Sequence, residues 1–506
     1  MAVTLPKKDL SLGQLKFIRI CCTFFVDPIS KEKQLSKKLL EGLRNDKTVP
    51  SVAIDFALTH LFGPLDPILV KYLSKKLYNG NKYQYGDSEK MKPPIEMFIS
   101  TKDMVSVPLM LGNLLTGKLH NLERRFKERS FKFTGKLRPY QEEIIPTFEK
   151  HLNTLGTTIV GLYPGFGKTI IGAYLCSGKK LLTCVLIHLS TLINQWKNTF
   201  ELVTNAKIWI VGENGFEESM DDIDVIICME ERLSKIPESL RNKIGTVIID
   251  EAHAFCTPSR VRCWFLEPRY LILETATLKR PDDAMERMAY ASCGYWGLFI
   301  PSKKKFDVIP VMTGIKPPGE KNKQGGIDWN KRVKFLLSHE LRNHQILEIV
   351  KKELSEDGKI LILTPQVEHV NCLAKVLKLY GHKASTYCRN DKVYTDASIL
   401  IGTLSKIGTA FDEATACPTF NGQRINVLIL CMTIRKPTLL EQCIGREMRA
   451  ESPRTYVFLD DDISAKDHWN LMKWWFKGYT NADIGNVLDL SSIIPDKVVK
   501  LIINSK

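Results

Sequence analysis

A chain of 506 residues with 44% hydrophobic and 25% charged side chains has room for two to four domains and a sizeable core. No apolar run reaches about 18 residues, so no membrane-spanning helix is expected, and thirteen scattered cysteines without a Cys-x-x-Cys pair exclude a zinc ribbon or a disulfide framework. The formal net charge of +16 points to a polyanionic partner, most simply nucleic acid.

Residues 1–134 carry no catalytic pattern. Met1-Ala2-Val3-Thr4-Leu5-Pro6-Lys7-Lys8 lacks the apolar stretch of a signal peptide, so an intracellular, soluble protein with reduced thiols is expected. Helical periodicity runs from Lys31 to Leu43 and offers its lysines to solvent or to phosphates. Ser106 to Gly112 reads as a strand and a turn. From Lys118 to Lys136, Arg124, Arg125, Lys127, Arg129, Lys132 and Lys136 alternate with Phe126, Phe131 and Phe133. That mixture suits a nucleic-acid backbone and its bases, or a basic surface over core aromatics.

An alternation of short apolar strands and helical stretches begins near residue 137 and predicts a parallel α/β domain. Arg138-Pro139-Tyr140-Gln141 reads as a helix start, and the Gln141 amide has the paired donor and acceptor that an adenine edge requires. The strand Thr157-Thr158-Ile159-Val160 leads into Tyr163-Pro164-Gly165-Phe166-Gly167-Lys168-Thr169 and then a helix. Free N–H groups and the positive helix end converge there on one anion site. Gly165 and Gly167 let the backbone wrap a phosphate, Lys168 reaches the terminal phosphates, and the Thr169 hydroxyl suits Mg²⁺. Further on, Thr246-Val247-Ile248-Ile249 ends in Asp250-Glu251-Ala252-His253. Asp250 is placed as a water-bridged Mg²⁺ ligand, and Glu251 to orient or deprotonate the attacking water. His188 to Trp196, a loop and helix, is positioned to touch a nucleic-acid strand. Tyr270 to Leu273 is a further strand, running into Glu274-Thr275-Ala276-Thr277.

Residues 301–335 read as loop, a natural boundary. A second α/β series follows, with a helix from Ser338 to Leu354 and strands at Lys359 to Thr364, Ser398 to Thr403 and Asn426 to Leu430. It has no second P-loop, but it contains Thr403, Gly408, Asp412 and Gln442-Cys443-Ile444-Gly445-Arg446-Glu447-Met448-Arg449. Arg446 and Arg449, three apart on a helix, share a face and suit two arginine fingers on a triphosphate.

This ordered set resembles the superfamily 2 helicases over residues 135 to about 465. Leu137–Gln141 is similar to the family's adenine motif and Leu162–Thr169 to its motif I; Leu192–Trp196 resembles Ia and Asp250–His253 motif II. Thr275–Thr277 stands where motif III does, Thr403–Asp412 where V does and Gln442–Arg449 where VI does. Asp-Glu-Ala-His, Gln195-Trp196 and Gln-x-x-Gly-Arg look most like the XPB/UvsW branch. The layout, with Phe133-x-Gly135-x-Leu137-Arg138 and a helix from Trp469 to Gly478, is similar to helicases of large cytoplasmic DNA viruses, the poxvirus transcript-release type included. Three departures stand out: His188-Leu189-Ser190 in place of Pro-Thr-Lys, Leu278 in place of a proline after motif III, and Leu162 at the head of motif I.

The resemblance implies two RecA-like parallel-sheet α/β domains in tandem behind an N-terminal accessory α+β domain: 1–134 accessory, 135–315 first, 316–485 second, 486–506 tail. It implies ATP and Mg²⁺ as cofactors, and single-stranded or forked DNA, or RNA, as partner. The expected movement is 3′ to 5′. Arg138, Gln141, Tyr163–Thr169, Gly408 and Asp412 would hold nucleotide, with Thr169 and Asp250 on the metal. Lys168, Asp250, Glu251, Gln442, Arg446 and Arg449 would be catalytic. His253, Thr275 and Thr277 would couple, and Gln195, Trp196 and Thr403 would contact nucleic acid. Transcription or replication machinery are implied partners, with no membrane and no required oligomer; a viral setting implies host cytoplasm or nucleus, or the virion. Three other classes remain open: a nucleic-acid-binding protein with a regulatory or non-unwinding ATPase, a nucleosome-remodelling type motor, and a P-loop kinase or metabolic NTPase. The second α/β half argues against the last.

Overall fold

The computed structural model describes residues 1–24, 31–63, 94–213, 222–276, 278, 285–319, 328–389, 391–407, 411, 413–495 and 499. The chain divides into two compact units between Ile300 and Pro301.

The first unit is built on a seven-stranded sheet. Its spatial order is Gly297–Ile300, Thr157–Leu162, Tyr270–Thr275, Thr246–Ile249, Thr183–Ile187, Val225–Met229 and Ile208–Ile210. Every pairing is parallel. Its central strands are covered on both faces, which is why they read as unbroken β-branched and leucine runs with no polar alternation. The N-terminal segment does not stand apart from this sheet. Ala2–Pro6 pairs antiparallel with Met104–Pro108, and the Ala2 N–H donates to the Leu266 carbonyl at 2.9 Å. The buried Asn121 amide donates to the Leu155 and Arg269 carbonyls at 3.1 and 3.0 Å, and one apolar cluster runs from Met1 through Leu111 to Cys293. After Met104–Pro108 the chain forms a helix, Leu109–Thr116, where the sequence suggested a turn. Its residues are almost all buried, so no polar face marked it.

The second unit holds an eight-stranded, all-parallel sheet. The order is Ala384–Tyr387, Ile399–Thr403, Ile360–Thr364, Val427–Leu430, Arg454–Leu459, Lys305–Met312 and Asn481–Ile484, with Leu488–Asp489 also paired to Lys305–Met312. Two stretches differ from the sequence reading. Lys305–Met312, expected as loop, is an interior strand of this sheet, and Trp329–Leu337 is a helix. The strand was hidden because Lys305 and Asp307 alternate with buried Phe306 and Val308 and because Pro310 interrupts it. Its partner, Arg454–Leu459, lies far downstream. The strand therefore belongs to the second sheet, and part of the expected tail, Leu488–Asp489, closes the same edge. Together the units are the two RecA-like parallel-sheet domains that the resemblance implied. All thirteen cysteines are free, and all but Cys372 are buried.

A fully buried charge holds the second unit's helix Glu340–Ser355 to its sheet. The Arg342 guanidinium donates to Asp460 and to the Cys431 carbonyl, and Asp460 also accepts from the Thr313 hydroxyl at 3.0 Å. Removing one partner strands the other in the core. Arg342→Met is expected to cost about 3–5 kcal/mol in urea unfolding of the second unit, and Arg342→Met with Asp460→Leu to recover most of it. A double variant no better than the single one would show that the pair's worth lies elsewhere.

Candidate nucleotide site

Three adjacent strands, Thr157–Leu162, Tyr270–Thr275 and Thr246–Ile249, end together at the carboxyl edge of the first sheet. In an open α/β sheet this crevice is where ligands bind. The loop after the first strand makes two left-handed steps, at Gly165 (φ 91°) and Gly167 (φ 98°). Gly167 caps the helix Lys168–Lys179, whose first N–H groups and dipole face the loop. A side chain at Gly167 would be strained, and its Cβ would stand 2.4 Å from Gln141 Nε2.

Gln141 explains that closeness. It is buried, accepts from the Arg138 N–H at 2.9 Å, and donates to the Phe166 carbonyl at 2.9 Å. Its amide ties the helix start at Pro139 to the loop. Tyr140 and Tyr163 set their rings edge-on to Phe166 at 4.9 and 5.2 Å, and Arg138 donates to the Tyr140 hydroxyl at 2.7 Å. Lys168 Nζ donates to the Leu162 carbonyl at 3.0 Å, folded back over its own loop.

Gln195 and Trp196 join this site. Gln195 donates to Thr169 Oγ1 at 3.1 Å, and the wholly buried Trp196 donates its indole N–H to Asp250 Oδ2 at 2.8 Å. A side chain with no exposed surface cannot touch nucleic acid, so the structure corrects that expectation for Trp196: it is a wall of the nucleotide site. Thr403 is buried at the end of its strand, and its hydroxyl accepts from the Ser405 hydroxyl at 3.4 Å.

Burial, and then the Glu251 charge, push the Asp250 carboxyl up to about 6; the Trp196 N–H and Lys168 pull the other way. Glu251 itself adopts φ 51°, a left-handed backbone that costs a non-glycine residue about 1–3 kcal/mol and clusters at functional sites. His253 Nδ1 lies 3.1 Å from Thr275 Oγ1 and 3.3 Å from Glu251 Oε2. One imidazole thus touches both the loop after Ile249 and the end of Tyr270–Thr275.

Glu274 was missed in the sequence. It is completely buried, neither carboxyl oxygen has a hydrogen-bond partner, and a Cβ on Gly172 would stand 2.2 Å from its Oε1. Burial foremost, with Asp250 and Glu251 adding, raises its pKa well above the carboxylate range, and Lys168 opposes them. The available signal was a charged residue ending an otherwise apolar strand directly before Thr275.

In the second unit, helix Pro437–Glu447 presents Gln442 and Arg446. Arg446 donates to the Phe411 carbonyl and lies over the Phe411 ring. The helix stops at Glu447, so Arg449 lies in the turn beyond its cap rather than on the shared helical face that the spacing suggested. Thr277, Gly408 and Asp412 lie outside the described residues.

A parallel sheet with a glycine-rich turn and helix start at its carboxyl edge, and carboxyls at the ends of the next two strands, has the architecture of a RecA-like domain. Consistently, residues 134–280 match the family model described as type III restriction enzyme, res subunit. "Putative helicase 161L" of Invertebrate iridescent virus 6 is 27% identical over 384 residues, covering 69% of this chain and 82% of that one. "Putative helicase 055L" of Frog virus 3 (isolate Goorha) is 26% identical over 336 residues, covering 64% and 74%. Among solved structures, S. cerevisiae Dbp5 bound to RNA and ADP BeF3 is similar with a TM-score of 0.47 and 15% identity, over 72% of this chain and 93% of that one.

The buried Glu274 makes stability depend on pH. A carboxyl that holds its proton more tightly folded than unfolded contributes fully below the ordinary carboxylate pKa, and that contribution is lost as pH rises above it. Glu274→Gln removes the ionisation. Its Tm relative to the parent should therefore climb between pH 4.5 and pH 8. A difference that stays flat across that range would show that burial does not hold the proton.

Proposed function

We propose that this protein is an Mg-ATP-driven nucleic-acid motor of the superfamily 2 helicase type. One observation carries the reading. A single crevice gathers a P-loop, the buried Asp250 carboxyl at the end of the next strand but one and a histidine bridging to Thr275, with Gln195 and Trp196 cross-linking the two candidate metal ligands Thr169 and Asp250.

The residues present fit the group they would hold. The start of Lys168–Lys179 supplies unpaired N–H groups and Lys168 for the phosphates. Thr169 Oγ1 would hold Mg²⁺, with the Asp250 oxygen not bound by Trp196 reaching it through water. When bound, Mg²⁺ neutralises charge on the phosphate oxygens. Asp250 enters that role as the carboxylate, so activity should fall as pH drops towards about 6. Glu251 orients and deprotonates the attacking water. His253 carries the change at Glu251 to Thr275, which is how hydrolysis reaches the nucleic-acid-binding surface. Arg138, Gln141, Tyr163–Gly167, Gly408 and Asp412 are the proposed nucleotide-holding residues, Gln442, Arg446 and Arg449 the further proposed catalytic ones, and Thr277 shares the proposed coupling.

The resemblance to the XPB/UvsW branch makes DNA the proposed track, RNA being the alternative, and 3′ to 5′ the proposed direction. The viral relatives favour a setting in a large DNA virus; transcript release, or repair and recombination, is the process proposed from the sequence resemblance. Lys168→Ala should abolish ATP hydrolysis while leaving nucleic-acid binding in place, since its ammonium serves phosphates alone. Arg449→Ala should lower kcat by about 10³–10⁵ with a far smaller change in ATP affinity, because a finger acts on charge that develops in the transition state. Steady-state ATPase with saturating single-stranded DNA, forked DNA or RNA measures both and ranks the stimulating partner. Near-parent turnover of Lys168→Ala would sink the motor assignment.

A further inference from the structure

Outside the nucleotide crevice, the first unit contains a cavity of about 1070 Å³. Its walls come from three segments distant in sequence: Arg124–Phe126, the stretch from Glu230 to Asn242, and Ser259–Glu267. Five arginines and three glutamates line it. Two of the arginines are committed: Arg124 to Glu267 at 2.8 Å, and Arg260 to Glu230 at 2.7 Å. Among the described residues Arg125, Arg241 and Arg262 have no ion pair, and of the lining glutamates Glu231 alone is left to oppose them. Half-buried Phe126 and Phe265 expose part of their rings to the same space.

We infer that this cavity is a second nucleic-acid site, one that takes a short segment of single strand with its phosphates on Arg125, Arg241 and Arg262 and its bases against Phe126 and Phe265. The inference rests on the nucleic-acid reading above and adds to it a site that no motif assigns. Three features support it. The volume is at the upper limit of small-molecule pockets, roughly 300–1,000 Å³, and so has room for a piece of polymer. Guanidiniums without carboxylate partners are suited to phosphate oxygens, which they bind in a planar fork. Aromatic faces beside them accept any base, the combination that binds single strands without reading sequence. The ion pairs Arg124–Glu267 and Arg260–Glu230 bind the three walls of the cavity without themselves needing a ligand.

The test uses the full chain and a fluorescein-labelled oligothymidine, titrated by anisotropy at several salt concentrations. Substituting Arg125, Arg241 and Arg262 together by Gln should reduce the slope of log affinity against log salt by about 2, from roughly 0.7 per lost single-strand contact. Arg125→Gln with Arg262→Gln, both at exposed positions, should reduce it by about 1.4; this pair keeps the test valid if the triple variant unfolds. Phe126→Leu with Phe265→Leu should weaken binding at least about fivefold and leave the slope unchanged, since stacking releases no counterions. A parent-like slope in the folded double arginine variant overturns the cavity assignment while the motor reading stands. Equal affinity for a poly-glutamate peptide also overturns it, because the rings would then contribute nothing. A parent protein that binds no oligonucleotide at any salt overturns both readings.

Discussion

The hydrogen bond from Trp196 to Asp250 is the constraint on which the nucleotide site depends. An aspartate at the end of a buried strand is costly to ionise, and here the negative Glu251 adds to the cost. An indole N–H aimed at one oxygen partly offsets both and leaves the other oxygen directed elsewhere. Because Trp196 has no exposed surface, its position is set by core packing against Phe200 and Gly172. The rest of the crevice follows from that placement. Gln195, one residue earlier, reaches Thr169, so a single helical turn holds both candidate metal donors.

Carboxyls accumulate in this region beyond what binding a metal requires. Asp250, Glu251 and Glu274 repel one another, with Lys168 as the opposing charge. Burial and these neighbours make Asp250 and Glu274 hold protons more tightly than exposed carboxyls do, and Glu274 has no hydrogen-bond partner to offset that. Gly172 makes room for it against the P-loop helix. Stability has been given up at the position where phosphates and a divalent ion are proposed to arrive, in the way strained backbone at Glu251 also suggests.

Basicity divides into structural and available parts. Arg129 is buried and Arg124 is ion-paired, so two of the seven lysines and arginines in Lys118–Lys136 serve the fold. Phe131 is core and Phe133 packs edge-on to Tyr174, whereas Phe126 remains partly open. The segment therefore combines residues that serve the fold with residues left open to solvent, and only the latter enter the proposed single-strand site.

Local chemistry was enough to locate the P-loop, the strand ending at Asp250 and the α/β alternation. Close backbone approach requires Gly165 and Gly167, an anion site requires a helix start, and strands buried on both faces must be apolar throughout. These requirements act over a few residues, so they are written in consecutive letters. What only the tertiary structure decided depends on partners far apart in the chain. Lys305–Met312 is a strand because Arg454–Leu459 lies beside it; Trp196 is a wall of the site because Asp250 lies 54 positions on. Glu274 matters because its charge is confined beneath Gly172, and Arg125 meets Arg241 and Arg262 only once the sheet has folded. A residue's burial and electrostatic field are sums over everything packed around it, and no window of sequence contains those terms.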